Sequence, residues 1–157
     1  MLDSEFRLVY SAGTMVHKNL ATAEPAKKVL TRTAVGEENG FLIELYKDED
    51  KTVAYLTAAK PGAFKGYHLH RVRAARYVCL RGKMRIILYK DKQREEHILD
   101  ATQPSRLFIP PNVATGLENI GEEEAWLINY PDPAYDPNLK DEQVEYNQEE
   151  LEQGIVK

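Results

Sequence analysis

An all-β fold of the jelly-roll kind, closed as a sandwich or barrel, is what this sequence predicts, and three observations predict it. Short runs rich in apolar, β-branched and aromatic residues recur through the middle of the chain, among them FLIELYK, TVAYLTA and KMRIILYK. Gly, Pro, Asn and Asp punctuate these runs at intervals of about eight to twelve residues, the spacing of antiparallel sandwiches and barrels. The length, 157 residues, suits one domain with one core, so residues 1–157 are read as a single unit. Its barrel core covers about 28–130, and 131–157 form a lid or arm.

Taken in order, Phe6, Leu8 and Tyr10 alternate and could add a strand, while the stretch from Met15 to Ala23 has no clear period. Lys28 to Val35 reads as a short strand, and Glu37 to Gly40 as the turn into Phe41 to Lys47. Asp48 to Lys51 is a charged turn before Thr52 to Ala58, which Lys60-Pro61-Gly62 ends. Ala63 to His70 follows. Arg76 to Leu80 and Lys83 to Lys90, joined through Arg81-Gly82, read as a hairpin with Met84, Ile86 and Leu88 on one face. Asp91 to Glu95 is a turn, Glu96 to Asp100 and Ser105 to Ile109 are short strands, and Pro110-Pro111-Asn112 is a rigid corner. Val113 to Ile120 and Ala125 to Tyr130, separated by Gly121 and three glutamates, repeat the hairpin pattern. The acidic run from Asp141 to Leu151 is compatible with a helix that keeps its charges in water.

Charge and cysteine content narrow the function. The net charge of −4 argues against a nucleic-acid binder, which needs a basic surplus. Cys79 is the only cysteine, so an intramolecular disulfide is excluded, and its apolar neighbours mark it as packing. No stretch approaches the ~20 apolar residues that cross a bilayer, and no signal-peptide pattern opens the chain. The expectation is a cytoplasmic protein without membrane contact.

The chemistry concentrates between Pro61 and Lys90. His68 and His70 are one residue apart in a β-prone run, so an extended backbone aims both to one side. From Lys51 through Lys90 there is no Asp or Glu, whereas Lys65, Arg71, Arg73 and Arg76 lie close to the histidines. An acidic chain with a local basic stretch suggests a small anion as ligand. Strict alternation places Arg76 on the face of the histidines and Arg71 with Arg73 on the other. One or two of these arginines could hold a diphosphate through bidentate contacts. Trp126, in an apolar strand, is expected in the core.

A His-x-His pair admits a metal site, metal-free acid-base chemistry, or a merely polar barrel mouth. The cupins, jelly-roll proteins, place a glycine before His-x-His, a glutamate and a closing glycine after it, and then a second motif, P-x-G-x-x-H-x-x-x-N. Gly62, His68, His70 and Gly82 fit most of the first motif, and Pro110 and Asn119 fit the ends of the second. Ala74 and Ala75 stand where the glutamate belongs, Asn112 replaces the glycine and Thr115 replaces the histidine. Two of four ligands remain among arginines that repel a cation, so no metal and no other cofactor is expected.

The runs YLTAAKPGAFKGYHLHR, FIPPNVATGLENIGEEEAWLINYPDPAYDP and ENGFLIELYK resemble the dTDP-4-dehydrorhamnose 3,5-epimerase family of cupins and its sugar 3,4-ketoisomerase relatives, in the family's order from about Glu38 to Pro137. The resemblance implies a jelly-roll homodimer acting without metal on a nucleoside-diphosphate 4-keto-6-deoxy sugar, at C3 and/or C5. It implies that His68 is the base, with Lys65 in the position of a substrate-binding arginine, and that Tyr135 is the acid on the opposite sugar face. Tyr130, at the other side of the same proline-broken loop, is a second candidate for that acid. The ketoisomerase relatives imply a role for His70 as well as His68, and for a preceding tyrosine that Tyr55 could match. A non-catalytic cupin that binds a sugar nucleotide or another small anion is the alternative of a different class. The family's lysine position is Ala75 here, and its aspartate partner for the base has no counterpart in EELEQGIVK. The sequence thus supplies no carboxylate to orient His68.

Overall fold

The structure, a computed structural model, describes residues 28–48 and 52–157. The alternating Phe6, Leu8 and Tyr10 lie outside the described residues. The first sheet is built from β1 (Lys28–Arg32), β2 (Glu38–Asp48), β3 (Thr52–Ala59), β5 (Ala75–Arg81), β8 (Leu107–Ile109) and β10 (Ala125–Asn129). The second contains β4 (Phe64–His70), β6 (Lys83–Lys90), β7 (Gln93–Asp100), β9 (Ala114–Asn119) and β11 (Gln143–Glu145), and the helix α1 spans Gln148–Gln153. The strand orders are β1-β2-β3-β10-β5-β8 and β11-β4-β9-β6-β7, with antiparallel neighbours, which is the predicted jelly-roll sandwich.

Between the sheets, Tyr77 and Cys79 of β5, Met84 and Ile86 of β6 and Leu127 of β10 form the main core. Met84, Ile86 and Leu127 are fully buried, each contributing ~2 kcal/mol of apolar transfer. Strand β6 is buried on its other face too. Ile87 and Tyr89 pack with Tyr67 of β4 and Ala114 of β9 beneath Leu151 of α1, which is why MRIILY reads as an almost unbroken apolar run.

Two predicted hairpins are not hairpins. β5 pairs with β10 and β8, whereas β6 pairs with β7 and β9, so Arg81-Gly82 carries the chain from one sheet to the other. β9 and β10 are split in the same way across Gly121. Gly82 has φ +70 and sits against Ala125, where a side chain would press on β10. The true hairpin is β6–β7, closed by Asp91 and Lys92, both with positive φ, so β7 starts earlier than expected.

The first predicted turn also moves. The chain reverses around Gly36, with the Glu37 N–H donating to Thr33 Oγ1, and Gly40 lies inside β2. A Cβ on Gly40 would be 2.0 Å from the Ala58 carbonyl oxygen, so the glycine serves close strand contact rather than a turn. Trp126 is not in the main core. It alternates with Ala125 and Leu127, lies on the other face of its sheet, and is covered by Arg81 at 5.5 Å.

The acidic C-terminal run divides in two. Gln143–Glu145 pairs with His68–His70 of β4 as an edge strand, and only then does Asn147 cap α1 in a reciprocal capping box with Glu150. Gly154, at φ 72, ends the helix.

Candidate functional site

The site is organised by β4. Its register on β9 slips between Lys65 and His68, so Gly66 and Tyr67 bulge opposite Gly116. His68 faces Thr115, which faces Leu88, while Lys65 faces Leu117, which faces Ile86. Leu88, Leu117 and Ile86 belong to the packing between the sheets. The bulge therefore puts Lys65, His68 and His70 all on the inner face of their sheet, although Lys65 and His68 are three residues apart. Tyr67 and Leu69 point the other way, into the cluster under α1.

His70 is the more enclosed histidine. Its Nδ1 is 3.0 Å from Nη2 of Arg73 and 3.3 Å from Oε2 of Glu142, and the same Nη2 donates to that carboxylate at 2.9 Å. The Arg73 backbone N–H donates to the other carboxylate oxygen at 3.3 Å. Glu142 is only 5% exposed, yet its charge is retained. Burial pushes its pKa up, but the Arg73 hydrogen bonds and charge, with His70 beside them, bring it below the usual value. The Tyr135 ring stacks on the Arg73 guanidinium at 5.1 Å.

His68 has a looser setting. Its Nδ1 is 3.3 Å from the Gln143 carboxamide and 3.7 Å from the Glu145 carboxylate, so an acid does stand near this histidine, contrary to the expectation from the sequence, because β11 docks the acidic run on β4. Burial lowers the pKa of both histidines, helped at His70 by the Arg73 charge and opposed by Glu142, and opposed at His68 by Glu145. Both are thereby kept neutral at pH ~7. Lys65 donates to Thr31 Oγ1 and, at 3.2 Å, to Asn39 Oδ1, and burial lowers its pKa to about 8.

Glu142 is the residue that sequence reasoning missed. An acidic run looks like a solvated helix face, whereas this carboxylate is buried between Arg73 and His70. The available signal was the alternation of Gln143-Val144-Glu145, which reads as a strand able to dock the run on β4.

The remaining predicted residues spread out. Arg76 is on the opposite face from the one alternation gave it: β5 lies in the other sheet, and Arg76 stacks on Phe108 and pairs with Asp132 at 3.4 Å. Arg71 turns to the chain end, donating to the Lys157 carbonyl oxygen. Tyr130 is exposed, with its N–H on the Arg76 carbonyl. Tyr55 pairs with Asn129 on β10 and shares the inner face with Ala59. The acid-free stretch is also neutralised by distant acids, for Lys60 pairs with Glu38, Arg81 with Glu123, Lys83 with Asp100 and Arg85 with Glu118. The concentrated positive field expected from the sequence is therefore largely dispersed.

The donor set does not fit a cupin metal. Among the described residues no three His, Cys, Asp or Glu side chains converge for an ion. Thr115 stands directly opposite His68, and its hydroxyl is turned to the Val113 carbonyl at 3.3 Å. The Arg73 guanidinium also occupies the space beside Nδ1 of His70, where a cation would be repelled. No described helix is long and apolar enough to cross a membrane.

Comparison with known proteins agrees with this architecture. The probable low-salt glycan biosynthesis epimerase Agl13 of Haloferax volcanii is 24% identical over 121 residues, covering 68% of this chain and 78% of that protein. The capsular polysaccharide assembling protein CapF of Staphylococcus aureus superposes with a TM-score of 0.65 at 20% identity, over 78% of this chain. A mutant of Bacillus subtilis oxalate decarboxylase OxdC gives 0.57 at 15% identity, over 72% of this chain. The chain spans 32% of the length of that CapF chain and 29% of the OxdC chain, and both likenesses speak to the cupin fold. A family model for the polysaccharide biosynthesis C-terminal domain matches residues 36–143, a span that includes β2 to β10, both histidines, Arg73 and Glu142. This cupin-fold chain therefore belongs to the polysaccharide biosynthesis C-terminal domain family.

Proposed function

We propose that the protein is an epimerase that inverts C3 and/or C5 of a nucleoside-diphosphate 4-keto-6-deoxy sugar, of the dTDP-sugar type, by metal-independent proton transfer for glycan assembly. The observation that carries this reading is the pair of burial-neutralised histidines, His68 and His70, on the inner face of one strand. A neutral imidazole can take the proton from the carbon beside a ketone, provided the enolate oxygen meets a hydrogen-bond donor. His68 is the base in this scheme. Tyr135, held on Arg73 at the rim, returns a proton from the opposite face, with Tyr130 as the second candidate.

Other features favour a polar ligand between the sheets. Nε of Arg73 and Oδ1 of Asn129 are buried without a hydrogen-bond partner among the described residues, an unspent donor and acceptor that a substrate can satisfy. Lys65, held by the neutral Thr31 and Asn39, is the candidate for the diphosphate, whereas Arg73 and Arg76 pair with acids and Arg71 donates to the Lys157 carbonyl. Agl13 carries the name of a glycan biosynthesis epimerase, and CapF that of a capsular polysaccharide protein, which supports a sugar derivative as substrate. Exposed Val29 and Leu30 on β1, an edge strand among the described residues, support a homodimer.

One observation favours a second reading. His68 and His70 share a face, as 3,4-ketoisomerisation by two histidines requires. Incubation with dTDP-4-keto-6-deoxyglucose in heavy water, followed by NMR, separates the two. Deuterium at C3 or C5 is expected for the epimerase, and a carbonyl moved from C4 to C3 for the ketoisomerase. Binding with neither change would leave a non-catalytic sugar-nucleotide module.

A further inference from the structure

The environments of the two histidines differ in one respect that decides which proton each can handle. Nη2 of Arg73 carries two hydrogens and has two acceptors in reach, Oε2 of Glu142 at 2.9 Å and Nδ1 of His70 at 3.0 Å. Each hydrogen has one partner only if Nδ1 offers its lone pair. A proton on Nδ1 could reach Glu142 at 3.3 Å, but it would then confront the guanidinium N–H. Glu142 holds the arginine in this pose, because its second oxygen accepts from the Arg73 backbone N–H and the pair is almost wholly buried. From the rim, the Tyr135 ring covers the guanidinium. His68 has no such clamp: Gln143 meets its Nδ1 at 3.3 Å with a carboxamide, which can donate in one orientation and accept in the other, and the Glu145 carboxylate, exposed and 3.7 Å away, lies beyond hydrogen-bond reach.

We infer that Arg73 and Glu142 are positioning residues that fix His70 as the Nε2–H tautomer, making it the hydrogen-bond donor to the substrate ketone while His68, free to change tautomer, is the base. This assignment rests on the proposed proton-transfer function. In the step it describes, His68 takes the proton from the carbon next to the carbonyl. The C–H electron pair becomes the new C=C bond, and the carbonyl π pair moves onto oxygen, where Nε2–H of His70 meets the developing charge. Tyr135, or Tyr130, returns a proton to the opposite face of that carbon while the oxygen pair restores C=O, and exchange with water carries the proton from His68 back to the tyrosinate, which completes the inversion without any change of oxidation state.

The tautomer can be read without substrate. Protein labelled with ¹⁵N-histidine is examined at pH ~7.5 by long-range ¹H–¹⁵N correlation, which distinguishes protonated from unprotonated ring nitrogens. The expected result is His70 with an unprotonated Nδ1 and a protonated Nε2, becoming a tautomer mixture in Arg73→Met. Arg73→Gln supplies the same readout should the first variant not fold. A protonated Nδ1 in the parent protein would overturn the inference, as would an Nε2–H tautomer that persists once the guanidinium is gone. With an active substrate, Arg73→Gln should lower kcat about 10- to 100-fold with little change in KM, the usual scale for a group that acts by orienting another. If the tautomer is as described but deuterium enters no keto sugar, the epimerase reading fails while the structural assignment of His70 stands.

Discussion

The side-chain amide of Asn119 on β9 donates to the backbone carbonyl of Ala59 on β3 at 2.8 Å, and so ties one sheet of the sandwich to the other. Its Nδ2 also donates to the Glu123 carbonyl at 2.7 Å, and its Oδ1 accepts from the Gly121 N–H at 2.9 Å. The residue at the end of the second cupin motif thus has a structural task, closing the crossing between β9 and β10. Asn119 is 1% exposed, so truncation leaves backbone groups with no water to replace it. Asn119→Ala should destabilise the protein by ~3 kcal/mol, seen as a lower urea midpoint at unchanged m-value.

His68→Asn removes the proposed base while keeping a polar group of similar reach. Deuterium incorporation into the keto sugar should fall by ~10²- to 10⁴-fold, the usual contribution of a positioned base, with the thermal midpoint nearly unchanged. Full activity in this variant would assign the base elsewhere.

The pH dependence of that rate should carry the mark of burial. Because burial lowers the His68 pKa, the base stays unprotonated below 6.5, its ordinary value. The acid limb of kcat/KM in the free enzyme should therefore fall below pH 6.5.

Stability toward acid has two origins. The folded-state histidines bind protons less readily than the unfolded chain does, so stability begins to fall as pH drops through 6.5 and continues to their lowered pKa values. Glu142, with a pKa below its ordinary value of 4.5, contributes stability that is complete above 4.5 and is lost as pH falls through its folded value. Urea titrations of Glu142→Gln against pH should therefore lose the lower part of this acid dependence, while the His70 part extends to lower pH because the carboxylate no longer opposes the lowering of its pKa.

On the alkaline side Lys65 has the same proton balance. Lys65 has a folded pKa of about 8 against 10.5 in the unfolded chain, so the unfolded state binds more of its protons between those values and its contribution to stability rises with pH across that window, opposed above 9.0 by Cys79, whose pKa burial raises. Lys65→Met should flatten the rise, and a slope left intact in urea midpoints would show that another group causes it.

Alternation and turn residues were enough to find β1 to β10 and the jelly-roll class, because each of these strands reports its own burial, whereas β11 was read as part of a helix-compatible acidic run. Sheet membership was not legible at Gly82 or Gly121. The local chemistry that closes a hairpin also lets a chain cross between sheets, and only the partners of β5, β6, β9 and β10 distinguish the two. The site was half legible in the same sense. His68 and His70 follow from the two-residue period of a strand, but Lys65 joins them only through the bulge at Gly66 and Tyr67. Arg73 and Arg76 were misjudged because the chain leaves β4 and enters the other sheet between His70 and Ala75, which ends the alternation. Glu142 was hidden by composition: the alternation of Gln143-Val144-Glu145 could dock the run on β4, but no residue type marks which carboxylate finds an arginine 69 residues away.

That separation has a consequence for the order of synthesis. Residues 28–130 supply the centres of both sheets, but His70 receives its carboxylate from position 142, and β4 gains its outer neighbour only with Gln143–Glu145. A chain growing from its N-terminus can bury the main core while Arg73 still has no anion beside it. The chemistry of the barrel mouth is therefore acquired after the main core, set by a short segment that follows the scaffold it completes.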